Sequence, residues 1–276
     1  MKKGAVGVFD SGVGGLSVLQ HIRQTLPNER LIYIADSAHV PYGDKSAHYI
    51  EQRAVTLTRF LIEQGADAIV IACNTATAAA AATLRSQFNV PIVGMEPAVK
   101  PAVAASKSGV VGVLATIGTL ESARFAALLE RYAGKVNIVT QGCPGLVEQV
   151  ESGDLHGIRT RELVERYTAP LLERGADTLI LGCTHYPFLS QLIRDVAGDH
   201  VTLIDTGAAV ARHLQHRLIS EVGLKPDLPP DHPICRVKTQ PAELFFTSGD
   251  EIQATHIMSA LWGNTIEVQS LPFDFT

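Results

Sequence analysis

This chain of 276 residues is short of several features, and each shortage excludes something. No stretch reaches the roughly 18 apolar residues that a membrane-spanning helix requires. The apolar stretch behind Met1-Lys2-Lys3 is interrupted by Asp10 and its neighbouring glycines before a signal-peptide core is complete, so the sequence predicts a cytoplasmic protein with no membrane partner. Lys and Arg form no run, aromatic residues make up only 6%, and the net charge is −5. A basic stripe for nucleic acid is therefore missing. Only four cysteines occur, at 73, 143, 183 and 235, with no CxxC or CxxH pair. Their wide spacing argues against a disulfide framework and against zinc, although Cys183 and His185 alternate across one residue. No metal is expected. No lysine sits in a phosphate-binding context suited to a pyridoxal Schiff base, and no cofactor is expected.

What is present is apolar material, 46% of the residues, enough for two modest cores or one large one. Short β-branched runs at 5–9, 31–35, 68–72, 91–94, 110–114, 136–140, 178–181 and 201–204 read as strands. Amphipathic stretches at 47–63, 76–87, 120–133, 159–174 and 207–220 read as helices between them. This alternation predicts a parallel α/β architecture, and strands so uniformly apolar are covered by helices on both faces. After the proline-rich connection 225–233, strands at 234–237, 244–247 and 265–269 and a helix at 250–262 are expected. That set is too small for a core of its own and should pack back onto one of the halves.

One phrase occurs twice. Glu63-Gln-Gly-Ala-Asp-Ala-Ile-Val-Ile-Ala-Cys73-Asn74-Thr75 returns as Glu173-Arg-Gly-Ala-Asp-Thr-Leu-Ile-Leu-Gly-Cys183-Thr184-His185. Gly7-Val-Phe-Asp10-Ser11 likewise lines up with Gly112-Val-Leu-Ala115-Thr116, and Val90-Pro-Ile-Val with Val201-Thr-Leu-Ile204. Three matched segments in one order indicate two homologous α/β halves, joined near residues 96–101. A duplicated fold that twice ends a buried strand in cysteine suggests two thiols facing one site. Two bases on opposite sides of a carbon can remove a proton from one face and return one to the other, which is what racemisation requires.

Ligands of parallel α/β sheets bind at the carboxyl ends of the strands. Five polar clusters fall there: Asp10-Ser11-Gly12-Val-Gly14-Gly15, Pro41-Tyr42-Gly43, Cys73-Asn74-Thr75, Thr116-Ile-Gly118-Thr119 and Cys183-Thr184-His185. The first resembles a dinucleotide loop only loosely, because Ser17 stands where GxGxxG requires glycine and Asp10 would repel a pyrophosphate. A tight turn without a ligand is one reading; backbone amides holding a small carboxylate at the helix start is preferred. A single buried cysteine is usually inert, but two at equivalent strand ends reverse that expectation, whereas Cys143 and Cys235 have no equivalents. Helix N-termini just after each cysteine would favour the thiolate. His185 is the obvious partner of Cys183, and Asp10 a candidate helper of Cys73. No arginine lies in the five clusters and Lys45 is the only lysine nearby, so a carboxylate ligand would be held by neutral donors such as Ser11, Asn74, Thr75, Thr116 and Thr184.

At these motifs, together with Ala35-Asp36, Leu181-Gly-Cys183-Thr184-His185-Tyr-Pro187 and Phe246-Thr-Ser-Gly249, the chain resembles the cofactor-independent glutamate racemases of the aspartate/glutamate racemase superfamily. The resemblance implies two homologous three-layer α/β domains with mainly parallel sheets, related by pseudo-twofold symmetry, with the active site between them. It also implies that the C-terminal segment returns to the first half, so that residues 1–95 plus 208–276 carry Cys73 and residues 96–207 carry Cys183. The implied reaction is L-/D-glutamate interconversion by two-base proton transfer, supplying D-glutamate for peptidoglycan, with Cys73 acting on D-glutamate and Cys183 on L-glutamate. Asp10, Asp36, Glu151 and His185 match supporting acid–base or polarising positions. Glu151 competes there with Glu148, because the family's Cys-Pro-x-Phe-Val-Pro-Leu-Val-Glu reads here Cys143-Pro-Gly-Leu-Val-Glu148-Gln-Val-Glu151. The implied substrate contacts are Asp10, Ser11, Pro41, Tyr42, Gly43, Asn74, Thr75, Thr116, Thr184 and His185.

A homodimer is compatible with this resemblance. Some relatives carry an N-terminal extension tied to activation by a cell-wall precursor; with the first motif at Gly7, no such control is expected. Two other readings stay open at this point. One is a racemase for aspartate or another small acidic amino acid, since hydroxyl and backbone donors do not measure side-chain length. The other is a non-catalytic regulatory protein, as some relatives are associated with inhibition of DNA gyrase.

Overall fold

The computed structural model describes residues 4–223 and 243–276. Cys235, the connection 225–233 and the expected strand 234–237 lie outside the described residues. The chain runs β1 (Ala5–Asp10), α1 (Leu16–Thr25), β2 (Arg30–Ala35), α2 (Ala47–Glu63), β3 (Ala66–Ile71), α3 (Asn74–Gln87), β4 (Ile92–Val93) and α4 (Val99–Ala105). It continues through β5 (Val110–Ala115), α5 (Ile117–Leu120), α6 (Ala123–Glu130), β6 (Asn137–Gly142), α7 (Leu146–Glu151), α8 (Ile158–Glu173), β7 (Thr178–Leu181), α9 (Ser190–Ala197) and β8 (Thr202–Ile204). It ends with α10 (Gly207–Arg217), β9 (Glu243–Thr247), α11 (Glu251–Trp262) and β10 (Val268–Ser270).

These strands form two sheets, β10-β9-β2-β1-β3-β4 and β6-β5-β7-β8, parallel throughout. The order β2-β1-β3-β4 is repeated as β6-β5-β7-β8, so the repeated phrases occupy corresponding strands. β9 and β10 extend the first sheet beyond β2, and α10 packs on α1.

Side-chain alternation distributes each strand over two cores. Val6 and Val8 of β1 join one cluster, which continues through Leu114, Val139, Leu179 and Leu181 of the second sheet. Ala5 and Phe9 face the opposite layer, where Leu57, Phe60 and Leu61 of α2 cover them. The far face of the second sheet packs Val111, Val113 and Ile180 against α4 and α6. One apolar body therefore bridges the two sheets, and each has its own outer layer of helices.

The structure differs from expectation in four helices. The stretch expected as one helix at 120–133 is two, because the Ser122 hydroxyl accepts the Phe125 N–H and starts α6 afresh. α1, α4, α7 and α9 go beyond the expected set. α1 begins after Gly15 with no side-chain cap, and α4 contains Pro101, so the usual start and stop signals are weak in both.

Candidate active site

Cys73 follows β3 and caps α3, its Sγ accepting the Ala76 N–H at 3.4 Å. Cys183 follows β7 at the corresponding place in the second sheet, and both sulfurs line one cavity between the sheets. The expected pair of helix N-termini is only half present. Cys183 leads through Thr184 and His185 into a 3-10 turn, Tyr186–Leu189, instead of an α-helix. Its partner is a side chain: His185 Nδ1 lies 3.5 Å from Cys183 Sγ.

The opposite edge of that imidazole meets a carboxylate. His185 Nε2 is 2.5 Å from Glu151 Oε1, and that oxygen also accepts the Val13 N–H at 2.7 Å. Glu148, the alternative, is exposed. Burial opposes the charge on His185, but Cys183 and Glu151 together outweigh it and hold the imidazole well above its usual range. The site thus contains an imidazolium, so it is not made of neutral donors alone. Gly14 allows this arrangement, because a Cβ there would stand 2.3 Å from His185 Nδ1.

Asp10, at the end of β1, is fully buried. Its Oδ1 accepts the Ser11 N–H at 2.7 Å and its Oδ2 accepts the Gly15 N–H at 2.6 Å and the Thr184 hydroxyl at 3.2 Å. The glycine loop does hold carboxylates, but they are the protein's own Asp10 and Glu151. This corrects the expectation of an open amide site for a ligand. Desolvation raises the Asp10 carboxyl above its usual range despite the opposing His185 charge. Cys73 is pushed well above the usual thiol range, first by burial and then by the neighbouring Asp10 charge; the Ala76 N–H pulls the other way without prevailing. Cys73 is therefore a thiol at neutral pH.

Every expected substrate contact except Asp10 lines the cavity. Ser11, Pro41, Tyr42 and Gly43 form one wall, Asn74 and Thr75 a second, and Thr116, Thr184 and His185 a third. Asp10 stands behind them, joined through Thr184. Both polar atoms of the buried Asn74 amide lack a protein partner, which leaves a donor and an acceptor available at the cavity wall. Thr75 Oγ1 lies 2.9 Å from Thr116 Oγ1 and 3.1 Å from Thr119 Oγ1, linking α3 of the first sheet to the turn after β5 of the second. Asp36 sits outside the cavity, with its carboxylate engaged by Arg53 and Tyr42.

Three lining residues, Thr119, Val147 and Gly182, were not among the expected contacts. Thr119 belongs to a polar cluster visible in the sequence, whereas Val147 and Gly182 carry no chemical signal. Cys143 is buried, its thiol pushed up to about 12 by desolvation, consistent with an inert role. Among the described residues no group of three His, Cys, Asp or Glu side chains could hold a metal ion, and no helix is long and apolar enough to cross a membrane.

The cavity encloses about 290 Å3, but a water-sized sphere can centre itself in only about 10 Å3 of it. That is room for about one water, so this is a closed arrangement. A larger groove of about 1190 Å3 between Arg23, Phe245 and Trp262 is an open surface feature remote from both cysteines.

Comparison with known proteins agrees with this geometry. The profile of the Asp/Glu/hydantoin racemases matches residues 6–214, and the chain belongs to that family. It is 57% identical over 270 residues to a glutamate racemase of Methylococcus capsulatus, covering 98% of this chain and 96% of that protein. The fold matches the crystal structure of a Bacillus anthracis glutamate racemase isoform with a TM-score of 0.85 at 32% identity, covering 99% of each chain. It also matches the Escherichia coli glutamate racemase bound to L-glutamate and the activator UDP-MurNAc-Ala, with a TM-score of 0.84 at 34% identity and 97% coverage of each chain.

Proposed function

We propose that this amino-acid racemase interconverts L- and D-glutamate by a cofactor-independent, two-cysteine proton transfer, and that it works in the cytoplasm to supply D-glutamate for peptidoglycan. One observation carries the reading: Cys73 and Cys183, at the ends of corresponding strands, line the same buried cavity. Relatives named glutamate racemase share more than half of the sequence, and the related Francisella tularensis structure contains D-glutamate.

In the L-to-D direction, Cys183 as thiolate takes the Cα proton of L-glutamate, and the Cys73 thiol delivers its proton to the opposite face. Cys183 ends as thiol and Cys73 as thiolate; returning one proton between the sulfurs, through solvent, restores the starting state. The reverse direction exchanges the two roles. Burial keeps Cys73 protonated, which suits it to be the donor in the first direction. Asn74, Ser11, Thr75 and Thr184 supply fixed dipoles for the charge that spreads onto the substrate carboxylate as the Cα proton departs. His185, held by Glu151, accompanies the change of charge on Cys183.

A cavity this tight must open to admit an amino acid. We take the moving bodies to be residues 1–95 plus 208–276 and residues 96–207, meeting at the Thr75–Thr116–Thr119 hydroxyls.

The test is incubation of the purified protein with L-glutamate in D2O without added cofactor, following optical rotation and α-deuteration together. The reading requires both signals to change, and a folded protein that leaves both unaltered would sink it. Aspartate under the same conditions should react far more slowly.

A further inference from the structure

Arg53 lies in the middle of α2, outside the cavity, yet it is only 8% exposed. Its guanidinium grips Asp36 with a two-pronged contact, Nε donating to Oδ2 at 3.0 Å and Nη2 to Oδ1 at 2.6 Å. Asp36 in turn accepts the Tyr42 hydroxyl at 2.6 Å. Burial, followed by the Asp36 charge, keeps the Tyr42 phenol well above its usual range and hence protonated as the donor. Tyr42 and Gly43 form a wall of the cavity, and Gly43 meets the second sheet's loops at Thr116 and Gly118.

A second contact ties Arg53 to the end of the chain. Its Nη2 also donates to the Phe275 carbonyl at 3.0 Å. The Phe275 ring packs edge-on against Phe60 of α2, with centroids 5.1 Å apart, and Phe60 packs against Phe246 of β9 at 4.9 Å. The C-terminal turn is thus seated on the helix that presents Arg53.

We infer that Arg53 is a positioning residue: through Asp36 it fixes the Tyr42–Gly43 wall against which the substrate is held, and the C-terminal turn at Phe273–Phe275 braces it from behind. Asp36 then serves binding through Tyr42 and does not exchange protons with the substrate. A planar, bidentate donor suits this place because it satisfies both carboxylate oxygens at once, which an ammonium cannot do. Removing the guanidinium would leave Asp36 a buried charge with a single hydrogen-bonding neighbour in Tyr42, and the wall would lose its fixed position.

The inference rests on the glutamate reading for its kinetic arm and is independent of it for its structural arm. Arg53→Ala should raise KM for glutamate about tenfold or more while kcat stays within about threefold, the signature of binding lost equally from ground and transition states. Arg53→Lys should recover part of the loss, and deletion of residues 273–276 should raise KM by a smaller factor. In hydrogen–deuterium exchange, peptides covering 36–46 should exchange faster in Arg53→Ala while those covering β5 and β7 do not. A fall in kcat at unchanged KM would overturn the inference, as would unchanged exchange at 36–46. If Arg53→Ala does not fold, Arg53→Lys and the deletion carry the test, and unchanged KM and exchange in both would overturn it. A wild-type protein inactive on glutamate would instead sink the preceding reading and leave the exchange arm in force.

Discussion

Glu151 Oε1 lies 2.5 Å from His185 Nε2 while accepting the Val13 N–H, so one carboxylate from α7 of the second sheet's layers anchors both the histidine beside Cys183 and the glycine loop after β1. This contact joins residues from the two sheets directly at the site. It also fixes the charge of the site, because the imidazolium persists only while a negative neighbour balances its burial.

Glu151→Gln should therefore lower kcat about 100-fold, the scale of losing a tuned acid–base partner. The pH dependence carries the sign. Because folding raises the His185 pKa, its stabilising contribution is fully present below the unfolded value and is lost as pH rises through the folded value. Removing Glu151 lowers the folded value and moves that loss to lower pH. Melting temperatures of both proteins from about pH 6 to about pH 10 check this, and coincident curves would contradict it.

Cys73→Ala and Cys183→Ala should each reduce racemisation by about 1000-fold or more, since each removes a group that one half of the proton transfer cannot do without. Circular dichroism with either enantiomer is the measurement. Near-normal turnover in one variant would mean that only a single sulfur is needed. His185→Asn is a finer probe. Enantiomers have equal free energies, so kcat/KM must fall equally in both directions, and any preference for Cys183 must appear in kcat alone. We expect kcat to fall further from L to D than from D to L.

Gly14→Ala would place a methyl group 2.3 Å from the present His185 Nδ1 position. The ring is buried to 1% exposure and hydrogen-bonded on its far side, so it must turn away from Cys183. Displacement by about 1 Å at a reacting group is enough to lose about 100-fold in rate. Activity should fall by that order with far-UV circular dichroism unchanged. Full activity would show that the imidazole is not held where the contact places it.

Asp177 offers a prediction remote from the site. Although it is slightly desolvated, hydrogen bonds from the Ser106 and Thr178 hydroxyls and from the Ser108 and Lys107 N–H groups prevail and bring its carboxyl down to about 2. A lowered folded pKa gives stability that is present above the unfolded value, near 3.8, and lost as pH falls towards about 2. Solvent screens this exposed group, so Asp177→Asn should cost about 1 kcal/mol or less at neutral pH. The difference from wild type should vanish in acid, as read by urea unfolding at about pH 7 and about pH 2.5.

Much of the fold was legible because its signals are local. Each expected strand among the described residues is present with its ends shifted by at most a few positions, since continuous apolar runs bounded by Gly and polar residues report burial on both faces. The repeated phrase also revealed that two cysteines end corresponding strands. α1 was less legible because the glycines before it provide no side-chain cap. Arg53 left only a faint trace, a charge on the same helix face as Ile50, Ala54 and Leu57, which acquires meaning only when Asp36 and Phe275 are seen around it.

The sequence by itself therefore determined the parallel α/β class, the duplication and the pair of thiols, all of which follow from periodicity and repetition along the chain. Tertiary structure alone decided that Glu151 and not Glu148 reaches His185, that the glycine loop's amides hold the protein's own carboxylates, and that Asp36 turns towards Arg53 and Tyr42. The physical reason is distance along the chain. Val13 and Glu151 are 138 positions apart and Thr184 and Asp10 are 174, and such partners are chosen by how the carboxyl ends of two sheets face each other across a dry core.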